Sequence, residues 1–456
     1  MKQNILDELV SCVGKGRASY APEDLVAYSY DPFIEEHRPD IVVYPLSTEE
    51  VSAVMKVAYR ESIPVVPRGS GTNLAGETVP VKGGIVLALS KMDKILEIDS
   101  RNRIAKLQPG VINFDFQQAV EKHGLMYPPD PSSWKMATMG GTVATNAGGP
   151  KTLKYGVTRD YLLGLRVILA NGDVLKTGGV AIKNVTGYDL TRLICGSEGT
   201  LGIVTEMTVR LVPKPKGSRT IRADFPKLED SSNAVADIIG EGIVPAGLEI
   251  MDKVVISAVE ADTHMGLPLD VDAILIIEVD GEPAALQDQV SRIEGVLTKN
   301  NASGIVVAKD QAEAEKLWSA RRAAFSVMAR LRPNAVIEDA TVPVSNLTLM
   351  INKTRKIALR HNVQIGVLAH AGDGNLHPVV LFDQRDQAEL QRVDADTEEI
   401  FREALALGGT LSGEHGIGMA KARFLSMELD PVAMRVSKNI KSVLDPKNIL
   451  NPGKFI

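Results

Sequence analysis

Cysteine is nearly absent, with only Cys12 and Cys195 among 456 residues. That excludes a disulfide framework and any cysteine-built metal or cluster site. An excess of basic charge is missing too. The net charge of −6 argues against a nucleic-acid surface, which needs clustered Lys and Arg. No apolar run reaches membrane-spanning length, no low-complexity tract occurs, and the opening "MKQNILDELVSCVGKG" lacks the apolar core of a signal peptide. These absences lead us to expect a cytoplasmic protein without a transmembrane segment. What remains is ordinary globular composition, 44% hydrophobic and 24% charged, in a chain long enough for two or three domains.

Residues 67–78 read "PRGSGTNLAGET". From Gly71 to Thr78 the spacing is that of the triphosphate loop, but Glu77 stands where the motif places its phosphate-neutralising lysine. Gly69, Gly71 and Leu74 also fail to complete the dinucleotide pattern G-x-G-x-x-G, and "GGIVLALS" after the loop reads as a strand where a triphosphate loop opens a helix. Two readings stay open for the loop alone: a tight turn, or a diphosphate cradle built from backbone N–H groups with Arg68 nearby. Two more glycine-rich stretches, 139–150 and 196–202, favour the cradle, because several backbone contacts suit a long extended ligand such as flavin adenine dinucleotide (FAD).

Along the chain, "STEEVSAVMKVAYR" (47–60) reads as a helix with a capping box at Ser47 and Glu50, and "IPVVP" as a short strand. Strand-like runs continue to about residue 212, and "PKPKG" (213–217) reads as a linker. Beyond it, strand–helix–strand occurs twice ("SRTIRADF", "DSSNAVADIIG", "PAGLEIM"; then "DAILIIEV", "AALQDQVSRIEGVLTKN", "GIVVAKD"), which predicts a ferredoxin-like second domain. A long helix around 312–331 and a strand near "AVIEDATVP" follow, and the last forty residues read as helices and a turn-rich tail.

Three of the seven histidines fall in two short segments, "GVLAHAGDGNLHPVVLF" (366–382) and "LSGEHGIG" (411–418). Asp-Gly and Gly-Asn predict a hairpin turn, in which Asp373 stabilises the bend, and the hairpin brings His370 and His377 within reach of one ion. Imidazole suits Zn, Mn or Fe, and Glu414 would add a carboxylate, leaving His415 as a base. Arg321 and Arg322 sit on one helix, where at most one faces inward; an inward guanidinium suits a substrate carboxylate. Trp318 and Phe325 read as core. Glu338 and Asp339 are either supporting carboxylates or a strand end. His37, His123, His264 and His361 read as ordinary.

The ordered set "VPRGSGTNLAG", "GGTVATNAGGP", "GSEGTLGIVTE", "HAGDGNLH", "SGEHGIG" and "NPGK" resembles the vanillyl-alcohol-oxidase-type flavoproteins, in the branch of D-lactate dehydrogenase, the glycolate oxidase catalytic subunit and D-2-hydroxyglutarate dehydrogenase. The resemblance spans nearly the whole chain. It implies an α+β protein: a two-subdomain FAD-binding domain over 1–214, an antiparallel-sheet cap over 215–410, and a segment 411–456 that rejoins the first domain. It places FAD against Pro67, Arg68, Gly69, Ser70, Gly71, Thr72, Asn73 and Gly76. Pro131, Ser132, Met139, Gly140, Gly141, Thr145, Asn146 and Gly148 follow, then Glu198, Gly199, Gly202, Ile203, Val204 and Asn451. Thr72 stands about where relatives with covalent flavin carry histidine, which implies dissociable FAD. A divalent metal on His370, His377 and Glu414, a carboxylate-binding Arg321, and His415 taking the hydroxyl proton as hydride passes to flavin are implied for a small 2-hydroxy acid.

Val379 and Glu338 stand where the 2-hydroxyglutarate enzymes have asparagine and lysine, which favours a monocarboxylate such as D-lactate or glycolate. A non-redox alkyl-transfer enzyme of the same scaffold uses adjacent histidines, and no His-His pair occurs here. An FAD-binding accessory subunit would lack both histidine segments. With no cysteine cluster of its own, the chain is expected to pass electrons to a quinone or to a partner such as an electron-transferring flavoprotein or an iron–sulfur subunit.

Overall fold

A computed structural model describes residues 1–455. The chain divides into two compact units. The first comprises Met1–Gly148, Val157–Lys214 and the residues from Glu414 onward, and the second Gly149–Gly156 and Pro215–Gly413. The division after Lys214 coincides with the linker signal. Residues 149–156 go with the second unit despite their place in the glycine-rich sequence, and residues 411–413 stay with it as well.

In the first unit the β-branched runs "IVV", "VVPR" and "IVLA" form the strands Ile41–Val43, Val65–Arg68 and Ile85–Ala88, paired in parallel. The helix Thr48–Glu61 covers them. The Ser47 hydroxyl caps it by accepting from the Glu50 amide, while the Glu50 carboxylate turns to Arg17 instead of closing a capping box. Its stripe of Val51, Val54, Met55 and Ala58 is fully buried against Ile41, Ile85 and Leu9. A second sheet of this unit is antiparallel, in the order Ile95–Asp99, Ile104–Leu107, Ile203–Arg210, Leu162–Ile168, Val174–Gly178. The C-terminal tail returns here. The Val65 amide donates to the Ile449 carbonyl and the Asn451 amide donates to the Val65 carbonyl, each closely.

"MGGTVAT" is a helix, Met139–Thr145, where the sequence reading has only a glycine stretch between strands. Glycine's poor helix propensity hides it. Thr138 caps it, and Gly140 packs so tightly on Pro109 that no β-carbon would fit.

The second unit is one antiparallel sheet flanked by helices. Its first four strands, Gly217–Phe225, Gly247–Asp252, Ala273–Gly281 and Gly304–Val307, lie in the spatial order fourth, first, third, second. That is the ferredoxin-like order produced by two interleaved β-α-β units. Gly247–Asp252 then pairs with Gln364–His370, which forms a hairpin with Asn375–Phe382, and Asn334–Ile337 closes the edge. Helices Leu228–Gly240, Pro283–Lys299 and Leu347–His361 contribute to the apolar layer on one face. Lys253–Thr263 and Gln311–Met328 contribute to the layer on the other, where Trp318 and Phe325 pack as expected. Among the described residues no helix is long and apolar enough to cross a membrane.

Candidate functional site

The glycine loop of the first unit leaves the strand Val65–Arg68 and returns to the core at Ala75. Among the described residues, none accepts a hydrogen bond from the backbone amides of residues 70–74. A run of unspent amides is what a diphosphate requires. The Arg68 guanidinium lies directly beneath Gly71, where a β-carbon would strike it, and donates to the Tyr30 carbonyl and the Thr78 hydroxyl. The cation thus supports the loop from within. Ser70 donates to the Met136 carbonyl at 2.6 Å, and Asn73 donates to both Asp31 and Glu77. These contacts fit an FAD diphosphate cradle.

Other residues expected at the cofactor have structural partners. Asn451 donates to the backbone carbonyls of Glu77 and Glu198, and the Asn146 side chain accepts from the Arg159 amide. Gly199 packs on Pro67, and Gly202 on Val167. Glu198, at φ +53°, sends its carboxylate to the amides of Ile417 (2.6 Å) and Gly418 (2.8 Å). A β-carbon on Gly416 would stand 2.8 Å from both Glu198 Oε1 and Glu77 Oε1. Burial raises both carboxyls, and the charge of Glu198 raises Glu77 further. Glu414 and His415, both half-buried, open the segment that this pair anchors.

In the second unit, strand register assembles the histidines. Glu249 lies opposite His370, and His370 opposite Asn375, so all three share one sheet face with His377, two residues beyond Asn375. The imidazoles are nearly buried, with ring centroids 5.0 Å apart and planes at 87°. His370 Nδ1 lies 2.6 Å from Glu249 Oε1, and His377 Nδ1 lies 3.3 Å from the Glu338 carbonyl oxygen and 3.9 Å from Asp339 Oδ1. An acceptor at Nδ1 fixes the ring proton there and puts the lone pair on Nε2. This is the usual preparation of a metal-binding imidazole.

The helix Gln311–Met328 turns Arg321 inward and Arg322 outward, to Glu315. Arg321 Nη2 lies 2.8 Å from Glu249 Oε2 as an ion pair outside hydrogen-bond geometry, and both Glu249 Oε2 and Arg321 Nε are buried without a hydrogen-bond partner. Burial pushes the Glu249 carboxyl up, but His370 and the Arg321 guanidinium beside it outweigh that and hold the carboxyl below its usual value.

Asp339 is fully buried and accepts from Asn375 (2.7 Å) and Ser412 (2.6 Å), while its carbonyl accepts from the Gly413 amide. Asp373 caps the hairpin turn by accepting from the Asn375 amide. Sequence reasoning missed Glu249 altogether. Its signal was a lone acid in the apolar strand "GLEIM", a position where a charge survives only if paired.

The comparisons with known proteins agree with this architecture. Residues 39–178 match the FAD binding domain model, and residues 214–455 match the model for the C-terminal domain of FAD linked oxidases. The glycolate oxidase subunit GlcD of Bacillus subtilis is 45% identical over 454 residues, 99% of this chain and 97% of its own. The D-lactate dehydrogenase of Anaerostipes hadrus is 36% identical, over 92% of this chain and 90% of its own. Among solved structures, p-cresol methylhydroxylase superposes with a TM-score of 0.80 at 19% identity, covering 100% of this chain and 97% of its own. Alkyldihydroxyacetonephosphate synthase superposes equally well at 20% identity, over 99% and 86%. At those identities the likeness is one of fold. The fold and the glycine cradle define an FAD-binding oxidoreductase. The chain belongs to the FAD-linked oxidases, in the vanillyl-alcohol-oxidase-type family.

Proposed function

We propose that the protein oxidises a short 2-hydroxy acid, D-lactate or glycolate, to the 2-oxo acid, using dissociable FAD and a divalent ion (Zn, Mn or Fe). What carries this reading is the buried histidine pair, each Nδ1 set against an acceptor, an arrangement that favours the tautomer presenting Nε2 to a metal. Relatives across the whole chain are named for glycolate and for D-lactate.

Bound FAD supplies a hydride acceptor, and a bound divalent ion makes an alcohol hydroxyl more acidic. His370 and His377 would hold the ion, and Glu414 of the "SGEHG" segment would be its third ligand. Arg321 binds the substrate carboxylate through the buried Nε that no protein group satisfies. His415 accepts the hydroxyl proton, acting as the general base. Val379, on the same strand face as His377, and the acid Glu338 offer no donor to a second carboxylate, which supports a monocarboxylate. Electrons leave to a separate acceptor, a quinone or a partner such as an electron-transferring flavoprotein or an iron–sulfur subunit, because the chain has no cysteine set for a cluster.

Metal analysis of the purified protein and of His370→Ala tests the site. A stoichiometric ion in the wild type, lost together with flavin reduction in the variant, is expected. A metal-replete but inactive variant would place His370 in the chemistry instead.

A further inference from the structure

We infer that Glu249 is a positioning residue that ties the carboxylate-binding arginine and the first metal-binding histidine into one unit, so that the ion and the substrate carboxylate are held at a set spacing. The inference rests on the reading of His370, His377 and Arg321 given above, and deepens it.

Glu249 is 1% exposed and sits in mid-strand, directly across from His370. Its two oxygens are divided between two partners, Oε1 against His370 Nδ1 at 2.6 Å and Oε2 against Arg321 Nη2 at 2.8 Å. The partners come from different elements, His370 from the neighbouring strand and Arg321 from the helix packed on that face. A strand carboxylate with one oxygen on each fixes their separation more rigidly than either could alone. It also supplies the negative charge that a buried guanidinium needs, since an unpaired buried cation is strongly unfavourable. Because His370 and Arg321 share one carboxylate, loosening either contact disturbs the other.

Glutamine exposes this division of labour, because a carboxamide has one acceptor oxygen where a carboxylate has two. With its oxygen toward His370, its NH2 faces the Arg321 donors. With its oxygen toward Arg321, its NH2 faces His370 Nδ1 and drives the ring proton onto Nε2, the nitrogen required for metal. Neither orientation preserves both contacts.

The experiment uses FAD-loaded full-length protein as wild type, Glu249→Gln and Glu249→Asp. Zn2+ dissociation constants come from competition with a chromophoric chelator, and kcat and KM are measured for the 2-hydroxy acid the wild type oxidises. Glu249→Gln is expected to weaken Zn2+ by about 10–100-fold, the range for partners of metal-bound histidine. It is also expected to raise KM roughly tenfold or more, as for a buried guanidinium that loses its ion-pair partner. Aspartate keeps both acceptors on a shorter stem, so both constants shift the same way by less. A purely structural glutamate would lower the melting temperature while leaving Zn2+ affinity and KM intact in the folded fraction, and that result would overturn the inference. So would a shift in only one of the two constants. If Glu249→Gln does not fold, Glu249→Asp decides, and wild-type values for both constants would count against the inference. A wild type that binds no Zn2+ would overturn the underlying site reading as well, so the two failures are told apart.

Discussion

Glu77 and Glu198 aim their Oε1 atoms at the same glycine, Gly416, inside the FAD-binding unit, with Lys454 as a nearby buried cation. Burial raises both carboxyls above their unfolded values, and the charge of Glu198 raises Glu77 further. For a group raised on folding, the stabilising contribution is complete below the unfolded pKa, about 4.3 for Glu, and is lost as pH climbs through the folded one. Apoprotein stability should therefore fall as pH rises through neutrality. Glu77→Gln should flatten that slope, raising the melting temperature at pH 8 and not at pH 5; parallel pH profiles for the two proteins would count against the pair. At Gly416, with φ +91°, alanine meets two carboxylate oxygens and a left-handed backbone. It should cost about 1–3 kcal/mol in denaturant titration. His415→Ala should abolish reduction of bound flavin while leaving FAD content unchanged, and near-normal turnover would remove His415 from the base role. At this scale the sequence was legible where residue types cluster, as in "HAGDGNLH" and "SGEHG". Glu249 was not, because its role arises from cross-strand register and from a helix about seventy positions away.

The hairpin Gln364–His370 and Asn375–Phe382 brings the histidines together, and Asp339 braces it from the neighbouring segment. Asp339 accepts from Asn375 in the hairpin and from Ser412 just before Glu414, so it couples the turn to the exit of the chain from the second unit. Asp339→Ala should lower kcat by about 10–100-fold through the metal site. Secondary structure by circular dichroism should remain unchanged; a loss of folded content would make Asp339 a stability residue instead. Local patterns predicted the two β-α-β units, because their periodicities and turn signals are contiguous in sequence. Pairing of Gly247–Asp252 with Gln364–His370 was invisible, since it joins segments more than a hundred residues apart. The helix Met139–Thr145 was hidden for the opposite reason: its glycines argue locally for a loop, and tight packing on Pro109 overrides them.

Across the whole molecule, two contiguous stretches of sequence match the two halves of the FAD-linked oxidase architecture, and relatives align over nearly all of it. The first unit supplies a cradle of unspent backbone amides over Arg68. The second supplies a buried histidine pair and an inward arginine, with the Glu249 carboxylate set against His370 and Arg321. The oxidation proposed above requires flavin, ion and carboxylate-binding arginine to serve one substrate. The most direct test is anaerobic absorbance of the FAD-loaded protein, with D-lactate, L-lactate, glycolate and D-2-hydroxyglutarate added separately, before and after chelation. D-lactate or glycolate is expected to bleach the oxidised flavin band, chelation to slow the bleaching, and returned metal to restore it. A flavin bleached at the same rate after complete removal of metal, or by none of the four acids, would contradict the proposal.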